Sequence, residues 1–368
     1  MFDRSDLQAA VGAGILDSGT AARLEAFVAS RRGGDSMADG ESLRFLANFN
    51  DIFISIGIVL LLMGVAALSS SLFMPAGIPN GATFAAMVIP TMAFAWGLSE
   101  YFCARRRLLL PSIVLCAAFC VTAGILGSLV FGEQAARNIE NFGFTQSFRA
   151  VGNLGLVGTG SVAAAATAYF VRFRLPFSLF VLALALAGMA YAGVAFFGDA
   201  GLLVGGTLSL LVGVITLAAA VYLDAGDPDR TSRRSDFGFW LHLAAAPQII
   251  LGLRGLTVGF FGEGESLGTA IILLASLLGF AFLSLALNRR ALIVSSLLTY
   301  GIALTALIGG LGLSMVNTTI FTLLVLGASV VVIGGGWSTA RRIVIAVLPR
   351  GGWMSRVFPD EPSPLARA

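Results

Sequence analysis

Lysine is absent from this chain of 368 residues, so all 23 of its basic residues are arginine. Histidine occurs once, at His242, and cysteine three times, at Cys103, Cys116 and Cys120. So few soft ligands exclude both a disulfide framework and a Cys/His metal site. Charge of either sign is scarce: charged residues make up 12% of the chain, against roughly 25% in an ordinary soluble domain. With 57% hydrophobic residues and a mean hydropathy of +0.90, a soluble globular fold is excluded and an all-α membrane protein is predicted. The net charge of +3 does not point to nucleic acid, because the arginines are dispersed one short loop at a time and form no continuous stripe.

Long apolar runs are what the chain does have. A helix needs about 20 apolar residues to cross the hydrocarbon. Ten segments meet that requirement: Ile52 to Leu72, Gly81 to Phe102, Leu108 to Phe131, Ala150 to Val171, Leu175 to Phe197, Gly201 to Leu223, Phe237 to Leu253, Gly268 to Leu287, Ala291 to Leu313 and Met315 to Trp337. The seventh is short and broken by Pro247, but without it Arg289 and Arg290 would change sides. Arginine then falls in every second gap, with only Arg137, Arg149 and Arg254 on the sparse side. Because arginine beside a helix end resists translocation, this alternation predicts both termini in the cytosol. Residues 1–40 carry Asp3, Asp6, Asp17, Glu25 and Asp35 with no unbroken apolar stretch, so a cleavable signal peptide is not expected and the first span serves as the insertion signal.

The expected architecture is a polytopic bundle of about ten transmembrane helices over 42–337, preceded by a small helical hairpin over 1–31 and a flexible linker over 32–41. In the hairpin, Gly12 and Gly14 separate two short helices, Asp17 or Ser18 can cap the second, and Leu7, Val11 and Phe27 can pack together. The tail over 338–368 mixes Arg341, Arg342 and Arg356 with Val344, Leu348, Trp353 and Phe358. It is expected to lie on the membrane surface with its arginines on anionic lipid headgroups. Phe131-Gly132-Glu133, Phe197-Gly198-Asp199 and Phe261-Gly262-Glu263 recur at similar intervals and suggest repeated two-helix hairpins with outward Phe-Gly-acid turns. Gly201 with Gly205, Gly309 with Gly310 and Gly312, and Gly152, Gly155, Gly158 and Gly160 are read as sites of close helix packing.

Three stretches carry a resemblance. Val11 to Leu24 (Val-Gly-Ala-Gly-Ile-Leu-Asp-Ser-Gly-Thr-Ala-Ala-Arg-Leu), Asn50 to Gly57 (Asn-Asp-Ile-Phe-Ile-Ser-Ile-Gly) and Phe239 to Pro247 (Phe-Trp-Leu-His-Leu-Ala-Ala-Ala-Pro) resemble a family of predicted bacterial polytopic membrane proteins described only as a domain of unknown function. The resemblance implies an inner-membrane location and a cytosolic helical hairpin ahead of the bundle. It brings no substrate, cofactor or catalytic residue.

Ionisable residues inside a bilayer are costly and mark functional candidates. Asp51 opens the first span, Glu100 lies near the same end of the second, and His242 enters the seventh from that side. Trp240 lies beside His242, and Gln248 lies deeper in the same run. One reading gathers Asp51, Glu100, Trp240, His242 and Gln248 into a polar, inward-facing vestibule. The other pairs Asp51 and Glu100 with Arg44 or Arg105 to Arg107 and gives His242 a single structural hydrogen bond. A nucleophile with its base, or a metal set, is not visible inside the spans, so neither an enzyme nor a bound cofactor is expected. The expected function is a membrane-embedded scaffold or regulatory component whose hairpin and tail bind cytosolic protein partners. The alternative is a transporter or exporter of a small apolar or amphipathic solute, which needs an enclosed polar cavity that a scaffold does not.

Overall fold

Hydrocarbon offers no hydrogen-bond partner, so an apolar run can enter it only with its backbone groups satisfied internally, as a helix. The structure, a computed structural model, describes residues 11–17, 19–21, 23–24, 49–74, 81–141, 144–193, 201–227, 232–257, 267–289 and 291–348. Among the described residues from 49 onward, ten α-helices succeed one another: α1 Phe49–Phe73, α2 Gly81–Ser99, α3 Leu109–Asn141, α4 Phe144–Phe173, α5 Pro176–Gly193, α6 Gly201–Ala225, α7 Arg233–Thr257, α8 Leu267–Leu287, α9 Ala291–Gly309 and α10 Met315–Val347. A π-helical turn, Glu100–Arg105, extends α2. Each apolar run of the sequence falls on one of these helices. Among the described residues, α1 to α7 and α10 are long and apolar enough to cross a membrane, whereas α8 supplies the shorter apolar stretch Leu274–Leu287.

α3 and α10 run furthest past the expected ends. α3 continues through Phe131-Gly132-Glu133 to Asn141, so this segment is helix and not the turn that the repeat required. The reason lies in the residues beyond it: Gln134, Ala135, Ala136 and Arg137 are strong helix formers, and one glycine costs only about 1 kcal/mol. Phe197-Gly198-Asp199 and Phe261-Gly262-Glu263 lie outside the described residues. α10 continues past Trp337 through Arg341 and Arg342 to Val347. Up to that point the tail prolongs the last helix, and it stops two residues before Pro349, which disfavours helix in the residue preceding it. Pro247 does not interrupt α7, which is continuous over 25 residues.

The chain divides into two units, residues 1–44 with 359–368 and residues 45–358. In the first, Gly14 adopts φ +70, and the Asp17 carboxylate accepts hydrogen bonds from the Gly19 amide at 2.6 Å and the Thr20 hydroxyl at 2.6 Å. Asp17 therefore caps the second short helix, and these bonds hold its carboxyl below the usual range, the Thr20 hydroxyl contributing most. Leu7, Phe27, the linker over 32–41 and residues 349–368 lie outside the described residues.

In the second unit, α1 to α5 close on a core of Ile58, Ala95, Leu115, Phe119 and Tyr169. α6 to α9 close on another, of Ala246, Ile250, Phe280, Leu287 and Leu292. α7 joins the two halves by packing on α5 as well as on α6, α8 and α9. α6 and α7 approach until their backbones touch: a Cβ on Gly206 would lie 2.8 Å from the Gly255 carbonyl carbon, and one on Gly252 would lie 2.5 Å from the Leu210 nitrogen. Of the glycines singled out in the sequence, Gly155 faces Ala192 and Gly158 faces Ser128, while Gly160 faces open space.

Candidate functional site

The charged centre of the second unit is built where α6 ends. The Tyr222 carbonyl accepts the Gly226 amide and the Asp224 carbonyl accepts the Asp227 amide, closing the helix and leaving the Asp224 side chain on its last turn. The Asp227 carboxylate then accepts the Ser232 amide and hydroxyl, at 2.9 and 2.7 Å, and the Ser232 hydroxyl in turn accepts the Arg234 amide at 3.2 Å, starting α7. α7 brings Ser235, Gly238 and His242 to one face, since they are spaced close to whole helical turns. Gly238 makes room, because a Cβ there would run into the Asp224 carboxylate.

The partner arrives from the link between α8 and α9. Asn288 takes the left-handed conformation at φ 53. The Arg289 amide donates to the Ser284 carbonyl at 2.8 Å, and the Ser284 hydroxyl donates to the Arg289 carbonyl. That turn sends the guanidinium inward. Arg289 Nε donates to Asp224 Oδ2 at 2.8 Å and Nη2 donates to Oδ1 at 2.6 Å, a two-pronged pair of the geometry that guanidinium and carboxylate share. Nη2 also reaches the Ser235 hydroxyl at 2.9 Å. Asp224 Oδ2 lies 3.7 Å from His242 Nδ1. That nitrogen is 2.7 Å from the Gly238 carbonyl, which can only accept, so Nδ1 carries the hydrogen. His242 is wholly buried and Arg289 is 3% exposed. The result is one carboxylate gripped by a permanent cation, with the only imidazole of the chain 3.7 Å away.

Deeper along the same seam lies a neutral polar step. Ser209 of α6 donates to the Gln248 carbonyl at 3.0 Å, and the Thr216 hydroxyl donates to Gln248 Oε1 at 3.1 Å. Gln248 is 1% exposed, and its Nε2 has no hydrogen-bond partner among the described residues. These bonds couple α6 to α7 at mid-length, as polar side chains do between helices in lipid.

Of the five residues expected to form a vestibule, Asp51 lies on α1, Glu100 follows α2, and Trp240, His242 and Gln248 lie on α7. Glu100, in the π turn after α2, pairs with Arg172 at the end of α4, at 2.9 and 2.6 Å, and not with Arg105 to Arg107. Asp51 lies at the start of α1, partly buried, with its carbonyl accepting the Ser55 hydroxyl at 2.7 Å. Trp240 packs its ring against Phe177 and Phe180 of α5, with centroids 4.9 and 5.6 Å apart. His242, Trp240 and Gln248 share α7, whereas α1 and α2 pack on each other and on α3. His242 thus lies beside Asp224, a residue outside the expected set. Sequence reading misses Asp224 and Arg289 because both stand at run ends and look like loop charges. The one signal for them is that Asp224 succeeds Leu223 directly, with the helix-stopping Gly226 only after it. Because the Glu100–Arg172 pair is well exposed, Glu100→Gln is expected to shift the midpoint of thermal unfolding by an amount equivalent to less than about 1 kcal/mol.

Among the described residues no group of His, Cys, Asp and Glu is arranged to hold a metal ion. No protein-family model, characterised protein or solved structure matches this chain, and the functional reading therefore stands on the geometry of Asp224, Arg289, His242 and their neighbours.

Proposed function

We propose that the chain is a scaffold or regulatory component of a bacterial inner membrane, with ten helices crossing the bilayer and both termini in the cytosol. It binds protein partners through its amino-terminal hairpin and its tail, and lipid headgroups through the tail arginines. The observation that supports this reading is the Asp224–Arg289 pair with Ser235, which ties α6, α7 and the α8–α9 link together on the arginine-rich side. Glu100–Arg172 does the same for α2 and α4. Charges satisfied across helices hold that face in one shape, as a docking platform requires. The repeated-hairpin idea keeps support from the turns, since Arg107, Arg174 and Asn288 each adopt positive φ between an even helix and the odd helix after it.

A photoreactive side chain at Leu24 of the full-length protein in cells is expected to capture a protein, and deleting residues 1–40 is expected to leave membrane insertion intact. Capture of lipid alone would overturn the scaffold reading. For topology, reporter fusions at Asn80, Gly198 and Gly264 are expected to read external, and those at Gly226 and Ala368 cytosolic. An external reading at Gly226 would overturn the count of six spans before it.

Transport of a small apolar or amphipathic solute is the second reading. An open groove of about 400 Å³ lies between α3 and α4, lined mainly by apolar side chains such as Val121, Ile125, Leu129 and Val162, with Ser128 and Thr159 among them, and it is not the enclosed polar cavity that transport needs. A photoreactive group at Ile125 that captures such a solute in cells would favour transport over scaffolding.

A further inference from the structure

Two turns on the arginine-rich side use an unexpected residue. Arg107, between α2 and α3, has φ 54, and Arg174, between α4 and α5, has φ 50. The left-handed conformation is cheap for glycine and tolerable for asparagine, and costs about 1 kcal/mol or more for a residue with a Cβ. The third turn of this kind, at residue 288, does hold asparagine. In a chain with 45 glycines, two arginines at positions suited to glycine need a reason. The topology rule does not supply it, because it asks only for positive charge near the helix ends, and Arg105, Arg106 and Arg172 already provide that.

The two turns are held side by side. Glu100 in the π turn after α2 meets Arg172 at the end of α4 through two hydrogen bonds, and just inside them the buried Tyr169 hydroxyl of α4 donates to the Ser99 hydroxyl of α2 at 2.9 Å, so the ends of α2 and α4 lie together. Arg106 lies over the Tyr101 ring at 5.6 Å and donates to its hydroxyl at 3.1 Å. Arg172 is thus neutralised and Arg106 is laid against its own helix. Arg105, Arg107 and Arg174 remain exposed, and among the described residues none of them is paired with a carboxylate. Three exposed guanidinium groups at the ends of apolar helices carry the charge that attracts an anionic headgroup phosphate.

We propose that the α2–α3 and α4–α5 turns, through Arg107 and Arg174 with Arg105 beside them, bind the phosphate of an anionic phospholipid. This site is distinct from the tail, and it rests on the reading of these helices as membrane spans. The strain makes the test clean, because Arg107→Gly with Arg174→Gly relieves both left-handed positions and leaves the fold at least as stable. Full-length protein in detergent is mixed with phosphatidylglycerol or phosphatidylcholine, and bound lipid is counted by native mass spectrometry. Wild type is expected to retain phosphatidylglycerol preferentially. The double variant is expected to bind it about thirtyfold more weakly, from roughly 1 kcal/mol per arginine at an anionic surface and 1.4 kcal/mol per tenfold change in affinity. Equal retention of both lipids by wild type, or an undiminished preference in the double variant, overturns the site. Complete displacement of the lipid by millimolar inorganic phosphate overturns the lipid assignment in favour of a free anion. Release of the chain from membranes by alkaline carbonate would instead sink the span reading on which the site rests.

Discussion

Replacing Asp224 with asparagine is expected to destabilise the protein by up to about 3–5 kcal/mol, because it removes the carboxylate that the buried Arg289 guanidinium holds with two hydrogen bonds. Arg289 is 3% exposed, so water cannot take the place of the lost carboxylate, and Ser235, which the guanidinium also reaches, is neutral. Arg289→Met is expected to be costly for the mirror reason, since it strands a carboxylate that is 11% exposed beside an imidazole 3.7 Å away. The informative variant is the double one. Burying two charges consumes most of what their attraction returns, so Asp224→Asn with Arg289→Met is expected to be closer to wild type than either single variant. Thermal unfolding of the purified full-length protein in detergent provides the comparison. If the two single losses simply add in the double variant, Asp224 and Arg289 are not a functional pair, and the block joining α6, α7 and the α8–α9 link is held by apolar packing alone.

How far the sequence anticipates this arrangement depends on the range of the information needed. The ten apolar runs each become a helix, because the bilayer requirement on backbone hydrogen bonds acts locally and composition alone satisfies it. The Asp17 cap is readable for the same reason: its partners, Gly19 and Thr20, are two and three residues away. Helix ends are less readable. α3 passes Phe131 and α10 passes Trp337 because helix propensity outlasts hydrophobicity, and an apolar run marks only the hydrophobic part. The site is least accessible, since Asp224 and Arg289 are 65 residues apart, and Glu100 and Arg172 are 72 apart. Counting charge per loop can say how many arginines face one side, but not which carboxylate each one meets. His242 stands out in the sequence as the unusual residue of α7, yet its neighbour is set by which helix packs against that face.

The close approach of α6 and α7 sets the second large expectation: Gly252→Ala is predicted to cost about 1–3 kcal/mol, and Gly252→Leu to prevent the two helices from packing. The atoms that a new Cβ would meet are the Leu210 nitrogen at 2.5 Å and Leu210 Cα at 2.7 Å, which are backbone and cannot rotate aside. Gly206 and Gly255 face each other in the same way, with a Cβ on Gly255 only 2.9 Å from Gly206 Cα. Without a hydrophobic drive between helices in lipid, such backbone contact is itself the source of association, through dispersion and the hydrogen bonds that it permits. Two of those hydrogen bonds, from Ser209 and Thr216 to Gln248, lie just beside Gly252 and Gly213. Separating the helices would therefore break them and also move Asp224 away from Ser235 and Gly238. Gly160 and Gly334 provide the control, since a Cβ at either meets nothing within 4 Å. Alanine there should be neutral or stabilising by up to about 1 kcal/mol through helix propensity. Measured as shifts in the thermal midpoint, a loss at Gly252 alongside no loss at Gly160 and Gly334 locates the contact. Equal tolerance at all three positions would mean that α6 and α7 do not meet backbone to backbone.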